Sequence, residues 1–196
     1  MDARRLLSFS DGFFAIIITV MVLSLRQPDG ATFANLRSTV PSLTAYALSF
    51  LYLGTYWNNH HHLLFTVRKV TGGMLWSNLN LLFWLSLFPF CTRWMAGQHY
   101  ASQTVAAYGI VLVLAAFAYV VLQNVIVASQ APDTSLKEAL GQDAKGKSSM
   151  FFYLLSIPLA LVWNWGGVII FVGVAVLWLV PDRRLERYFD HHAPPD

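Results

Sequence analysis

Six apolar stretches, each about 20 residues long, follow one another along this chain, and a run of that length suits a helix crossing a hydrocarbon layer of roughly 30 Å. In lipid a backbone must satisfy its own N–H and C=O groups, so helices are the expected form. Composition agrees. Of 196 residues 56% are hydrophobic and 12% charged, and the mean hydropathy is +0.51. An ordinary soluble domain is excluded, and the chain reads as an all-α integral membrane protein.

The spans fall at approximately 6–25, 41–65, 74–95, 103–128, 148–163 and 166–181, in a single domain covering 1–196. The last two form one apolar block interrupted at Trp163-Asn164-Trp165-Gly166-Gly167, where a polar side chain and paired glycines predict a tight reversal between interfacial tryptophans. Without that reversal there would be five crossings. Charge favours six. With both termini cytoplasmic, the inner side holds Arg4, Arg5, Arg68, Lys69, Lys137, Lys145, Lys147, Arg183, Arg184 and Arg187, against Arg26, Arg37 and Arg93 outside.

The first span does not read as a cleavable signal peptide, because Asp11 interrupts it and no small-residue cleavage pattern follows Leu25. The pI of about 9.1 is explained by the inner loops, with no basic, aromatic-interleaved patch for nucleic acid. The single cysteine, Cys91, excludes an intrachain disulfide and a cysteine metal cluster, and reads as a small apolar filler. Residues 129–148 are the one sizeable hydrophilic loop, with Ser135 and Glu138 spaced as a capping box and Gly141 to Lys147 expected to be flexible. It is too short for an enzyme domain, and no nucleophile and base stand at a recognisable spacing.

Asp11 is the one acid in the apolar stretches, and a carboxylate there is costly to keep. At 100° per residue, Gly12, Val20 and Leu23 lie within about 40° of Ile16 and Thr19 within about 60°, while Asp11 lies about 140° away. One face therefore offers small and branched apolar groups with one hydroxyl. Periodicity alone reads such a stripe as helix packing or lipid contact. Several copies around an axis would stack rings of Ile16 and Leu23 about 10 Å apart, able to gate ions by dewetting, with Thr19 oxygens between them.

Depth in the membrane selects the partners of Asp11. The second span brings Trp57, Asn58, Asn59 and His60 to His62 to the same level, and the third brings Trp76, Asn78 and Asn80. An Asp, His, Asn and Trp network near the inner leaflet follows, read first as a polar clasp holding three helices and second as a proton relay or pH sensor. Arg5 lies about 120° off the face of Asp11, so the two cannot pair along the helix. Zinc is disfavoured, because consecutive histidines diverge by 100° and the i, i+4 spacing is missing.

Arg5, three residues, then Phe9-Ser10-Asp11, together with Ala15 to Leu23, Trp57 with His60 to His62, and Asn78-Leu79-Asn80-Leu81-Leu82 with Pro89-Phe90, resemble the transmembrane protein 175 potassium channel family over roughly residues 4–92. Beyond that stretch only helix count and loop pattern agree. The resemblance implies a six-helix repeat and, for one repeat per chain as in bacterial members, a homotetramer in the bacterial inner membrane around a central pore lined by first helices. It further implies potassium permeation without a carbonyl filter, modest preference over sodium, and no cofactor. Ile16 and Leu23 would form the constriction, Thr19 with Val20 and Gly12 the selectivity lining, and Arg5, Phe9, Ser10, Asp11, Trp57, His60, Asn78 and Asn80 the signature network. His60 fits the family spacing after Trp57 best. Gly12 departs from the family's usual alanine, at about 1 kcal/mol in helix propensity. The rival reading is a proton-coupled or other secondary cation transporter using Asp11 and His60. Saturating, strongly proton-dependent flux would mark it.

Overall fold

A computed structural model of the chain describes residues 3–67, 69–129 and 144–179. Arg68, the proposed capping box at Ser135 and Glu138, Lys137 and the cluster Arg183, Arg184 and Arg187 lie outside the described residues. Within them every regular element is a helix. Helix α1 runs Ala3–Leu23, and a short 3-10 helix at Phe33–Thr39 leads directly into α2, Val40–Phe65. Then come α3, Gly72–Ser86, α4, Phe88–Gly97, and α5, Ser102–Ser129. The last pair is α6, Ala144–Val162, and α7, Asn164–Leu179.

Three helical stretches are long and apolar enough to cross a membrane by length and composition: α1, α3 with α4, and α5. Helix α2 has 26 residues but carries the polar run Trp57 to His62, and α7 is apolar but only 16 residues long. The six expected spans correspond to α1, α2, α3 with α4, α5, α6 and α7.

Three details differ from the sequence reading. Helix α6 already begins at Ala144, so Lys145 to Lys147 are helical where a flexible loop was expected. The third span is not one helix but two, broken at Leu87. Pro89 has no N–H to give, so the ladder restarts with Cys91 N–H donating to Leu87 O at 3.0 Å, a proline break inside one crossing. The reversal between α6 and α7 is Trp163 alone, and Gly166 and Gly167 belong to the helix after it. Their smallness serves packing. A Cβ on Gly167 would come within 2.8 Å of Ala160 Cβ, 2.9 Å of Val105 Cγ1 and 3.3 Å of the Ser156 carbonyl. Small residues allow this close approach of helices, which in lipid rests on van der Waals contact.

Helix α5 is the axle of the C-terminal half, burying Val105, Tyr108, Leu112, Ala115, Ala118 and Leu122 against α3, α4, α6 and α7. Several buried hydroxyls inside are matched with partners on other helices, as lipid favours. Ser49 Oγ lies 2.7 Å from Thr92 Oγ1 and 2.9 Å from Tyr108 Oη, joining α2, α4 and α5. Tyr52 Oη donates to Phe171 O at 2.7 Å and joins α2 to α7. At the end where α4 turns into α5, His99 and Tyr100 take φ of 49° and 60°. Side chains disfavour that left-handed region, and the surroundings over-determine it. Tyr100 stacks on Trp165 with centroids 5.5 Å apart, its hydroxyl donates to Pro41 O at 3.0 Å, and its carbonyl accepts from Asn164 Nδ2 at 2.8 Å. Cys91 is a free, buried thiol.

Candidate pore helix and its polar anchor

Helix α1 packs against α2, α3 and α4. It does so with Leu6, Ser10, Phe14, Ile17 and Met21, a spacing of three and four residues that keeps one face inward. The other face is open. Ile16 is 64% exposed, Val20 47% and Leu23 78%, and Arg5, Gly12 and Thr19 are exposed with them. Phe9, 54% exposed, continues the same stripe towards the N-terminus. Nothing lies within 4 Å of a Cβ built on Gly12. The Thr19 hydroxyl donates to Ala15 O at 2.8 Å, which ties up its proton and leaves oxygen lone pairs for an acceptor or ligand role.

The polar residues separate into two groups where the sequence suggested one. The first is a buried line: His60 Nε2 lies 2.7 Å from Asn78 Oδ1, Asn78 Nδ2 donates to Ser10 Oγ at 3.1 Å, and Ser10 Oγ donates to Leu6 O at 3.0 Å. With the amide oriented this way, His60 carries its proton on Nε2. His60, Asn78 and Ser10 are fully buried, so the line clamps α1, α2 and α3 together where no water competes. Phe14 closes it with its ring 5.7 Å from the imidazole, and His60 Nδ1 is left without a hydrogen bond.

The second group is half exposed. Asp11 Oδ1 accepts from Trp57 Nε1 at 2.9 Å, and His61 Nδ1 stands 3.9 Å away, beyond hydrogen-bond range. Of the three histidines open as neighbours of Asp11, the one that stands near it is His61 and not His60, which family spacing favoured, while the hydrogen bond itself comes from Trp57. The cause is helix geometry: His61 is four residues after Trp57 and shares its face, while His60 is turned 100° towards α3. Arg5 and Asn80, expected in the network, stand on exposed faces and make no side-chain hydrogen bond among the described residues. Asn78 and Asn80 are two apart, so they point about 200° from each other on one helix. His62 Nδ1 turns back to Asn58 O at 2.7 Å. No group of three potential metal ligands occurs among the described residues.

Residues 5–89 match the family described as the endosomal/lysosomal potassium channel TMEM175. The chain is also 46% identical over 187 residues to a potassium channel of Chryseobacterium sp. (strain P1-3), covering 95% of this chain and 97% of that one. It belongs to the TMEM175 family. That relative extends the likeness through α5 to α7, well past the stretch in which the motifs lie. Human TMEM175, named as an endosomal/lysosomal proton channel, is 35% identical over 96 residues, 42% of this chain and 19% of that longer one. The TMEM175 homologue of Chamaesiphon minutus, solved by crystallography and titled a lysosomal potassium-selective channel homologue, shares the fold with a TM-score of 0.76 at 24% identity. The match covers 91% of this chain and 96% of that one. TMEM175 proteins are ion channels, not enzymes, and a multi-pass membrane protein follows from the family and the apolar helices together. The segment matching the family carries α1, α2 and α3, and so includes both the open stripe and both polar groups.

Proposed function

We propose that this TMEM175 protein is a potassium-permeable cation channel of the bacterial inner membrane, with both termini cytoplasmic and four chains arranged so that their α1 helices line a central pore. The observation that carries this reading is the two-sidedness of α1. One face is anchored by Leu6, Ser10, Phe14, Ile17 and Met21, while Ile16, Val20 and Leu23 are left exposed among the described residues. Relatives named as potassium channels support the same ion.

In such an assembly Ile16 and Leu23 ring the axis at two levels. An apolar ring narrow enough to dewet blocks hydrated ions, and conduction begins when the ring widens or rotates away. Thr19 and Val20 lie between, and the free lone pairs of Thr19 could ligate a partly dehydrated cation, giving modest potassium preference without a backbone-carbonyl filter. Gly12 keeps the inner entrance wide. A proton-coupled carrier built on an Asp11–His60 pair has lost its structural motive, because His60 is engaged with Asn78 and Asp11 with Trp57.

The test is cation flux into liposomes holding the purified full-length protein, with potassium, sodium and N-methylglucamine compared. Non-saturating flux that favours potassium and excludes the bulky cation is expected, and Ile16→Asn should raise it by wetting the ring. Flux that saturates and tracks the proton gradient would overturn the channel reading, and unchanged flux in Ile16→Asn would remove that residue from the gate.

A further inference from the structure

At the end of the bundle where α1 finishes and α2 begins, a cavity of about 80 Å³ opens between α1, α2 and α4. Its polar lining includes Arg26, just beyond α1, Ser42 in the first turn of α2, Tyr46 one turn later, and Arg93 on α4. Two arginines thus line one small pocket. Among the described residues the acids are Asp11, which is bonded to Trp57, and Asp29, which is exposed and forms no ion pair with either arginine. The hydroxyls of Ser42 and Tyr46 likewise have no hydrogen-bond partner among the described residues. Two cationic residues beside one pocket with spare O–H donors create a positive potential that favours an anion there.

A second, wider groove of about 390 Å³, lined by Phe90, Trp94 and Gln98, shares Arg93 and Gly97 with the pocket and so lies beside it. Phe90 and Trp94 are 64% and 41% exposed, with ring centroids 5.9 Å apart, so apolar surface begins where the charged pocket ends. Guanidinium forks match tetrahedral oxyanions, and aromatic side chains at a membrane boundary lie beside acyl chains.

We propose that this pocket is a binding site for a phosphate-bearing anion, held by Arg26 and Arg93 with Ser42 and Tyr46 as additional donors. The volume accommodates one phosphate group or several waters. The source of the phosphate is either an anionic phospholipid, its chain lying along Phe90 and Trp94, or free phosphate in the pocket alone. The site is distinct from the Ile16 stripe and does not depend on the pore reading.

The experiment uses purified full-length protein in phosphatidylcholine nanodiscs with and without phosphatidylglycerol, bound lipid being counted by native mass spectrometry. In parallel, thermal stability in detergent is followed against inorganic phosphate, with chloride at equal ionic strength as control. Arg26→Gln with Arg93→Gln should weaken whichever ligand binds by about tenfold or more, as expected for lost charge-assisted hydrogen bonds, with each single variant intermediate. Arg37→Gln, outside the pocket, should leave binding unchanged. Trp94→Ala should weaken phosphatidylglycerol but not inorganic phosphate if the lipid is the source, and neither if free phosphate is. All four altered residues are exposed, so folding should survive, and the single variants cover the case in which the double one does not fold. Binding by neither probe, an unaffected double variant, or an equal loss in Arg37→Gln would each overturn the site.

Discussion

The two faces of α1 are made of similar residues and meet opposite surroundings. On one, Phe14, Ile17 and Met21 are buried against α2 to α4 and the Ser10 hydroxyl joins the line to Asn78 and His60. On the other, Ile16 and Leu23 are mostly exposed and Thr19 bonds to its own helix. Hydropathy does not separate an Ile17 from an Ile16; position does. A helix that must hold its place while presenting a separate surface needs both faces, and the buried polar line supplies directional contact that an apolar face in lipid lacks.

The sharpest test of that contrast exchanges side chains across it. Phe14→Ala should cost about 3 kcal/mol, the low end of the usual range for a buried Phe→Ala change. Helices already sitting in lipid lose packing and gain a cavity, but little transfer free energy. Ile16→Ala, by contrast, should shift stability by less than about 1 kcal/mol. Thermal unfolding of both variants in the same detergent measures the gap. Equal losses would mean that the open face packs as tightly as the buried one, against the exposure seen here. Next in size is Asn78→Leu, which leaves the buried His60 Nε2 and Ser10 Oγ without their partner. Transmembrane hydrogen bonds average well under 2 kcal/mol each, but two are lost and a buried donor is stranded, so about 2 kcal/mol is expected. A variant as stable as the parent would show that the buried line does not anchor α1.

Much of this was legible in the sequence because it is local. The open stripe follows from stepping round α1 at 100°, and depth alone brought Asp11, Trp57, His60 and Asn78 to one level. The same arithmetic could have separated the histidines, since Trp57 and His61 are four apart and His60 is not. It could also have parted Asn78 from Asn80. What stayed illegible depends on distant neighbours. Gly167 is small because Val105 and Ala160 approach it, and Val105 is 62 positions away on another helix. Paired glycines beside an asparagine therefore looked like a turn. The pocket shared by Arg26 and Arg93 was equally hidden, because charge counting placed both on one side without bringing them to one cavity.

The smallest expected effect concerns the group that lies between the two faces. Asp11 is at the border, about a third exposed, and its one hydrogen bond among the described residues is from Trp57 Nε1 at 2.9 Å. Trp57→Phe keeps an aromatic ring on α2 while removing that donor. Because Trp57 is 41% exposed and solvent or headgroups can replace the lost bond, the loss should be about 0.5 kcal/mol, clearly less than for Asn78→Leu. Thermal unfolding measures it, and the order of the two variants matters more than either value. If Trp57→Phe proves the more damaging, the anchor of α1 lies at its half-exposed edge. The buried line through His60 would then be secondary, and the division of α1 into a held face and a free one would have to be redrawn around Asp11.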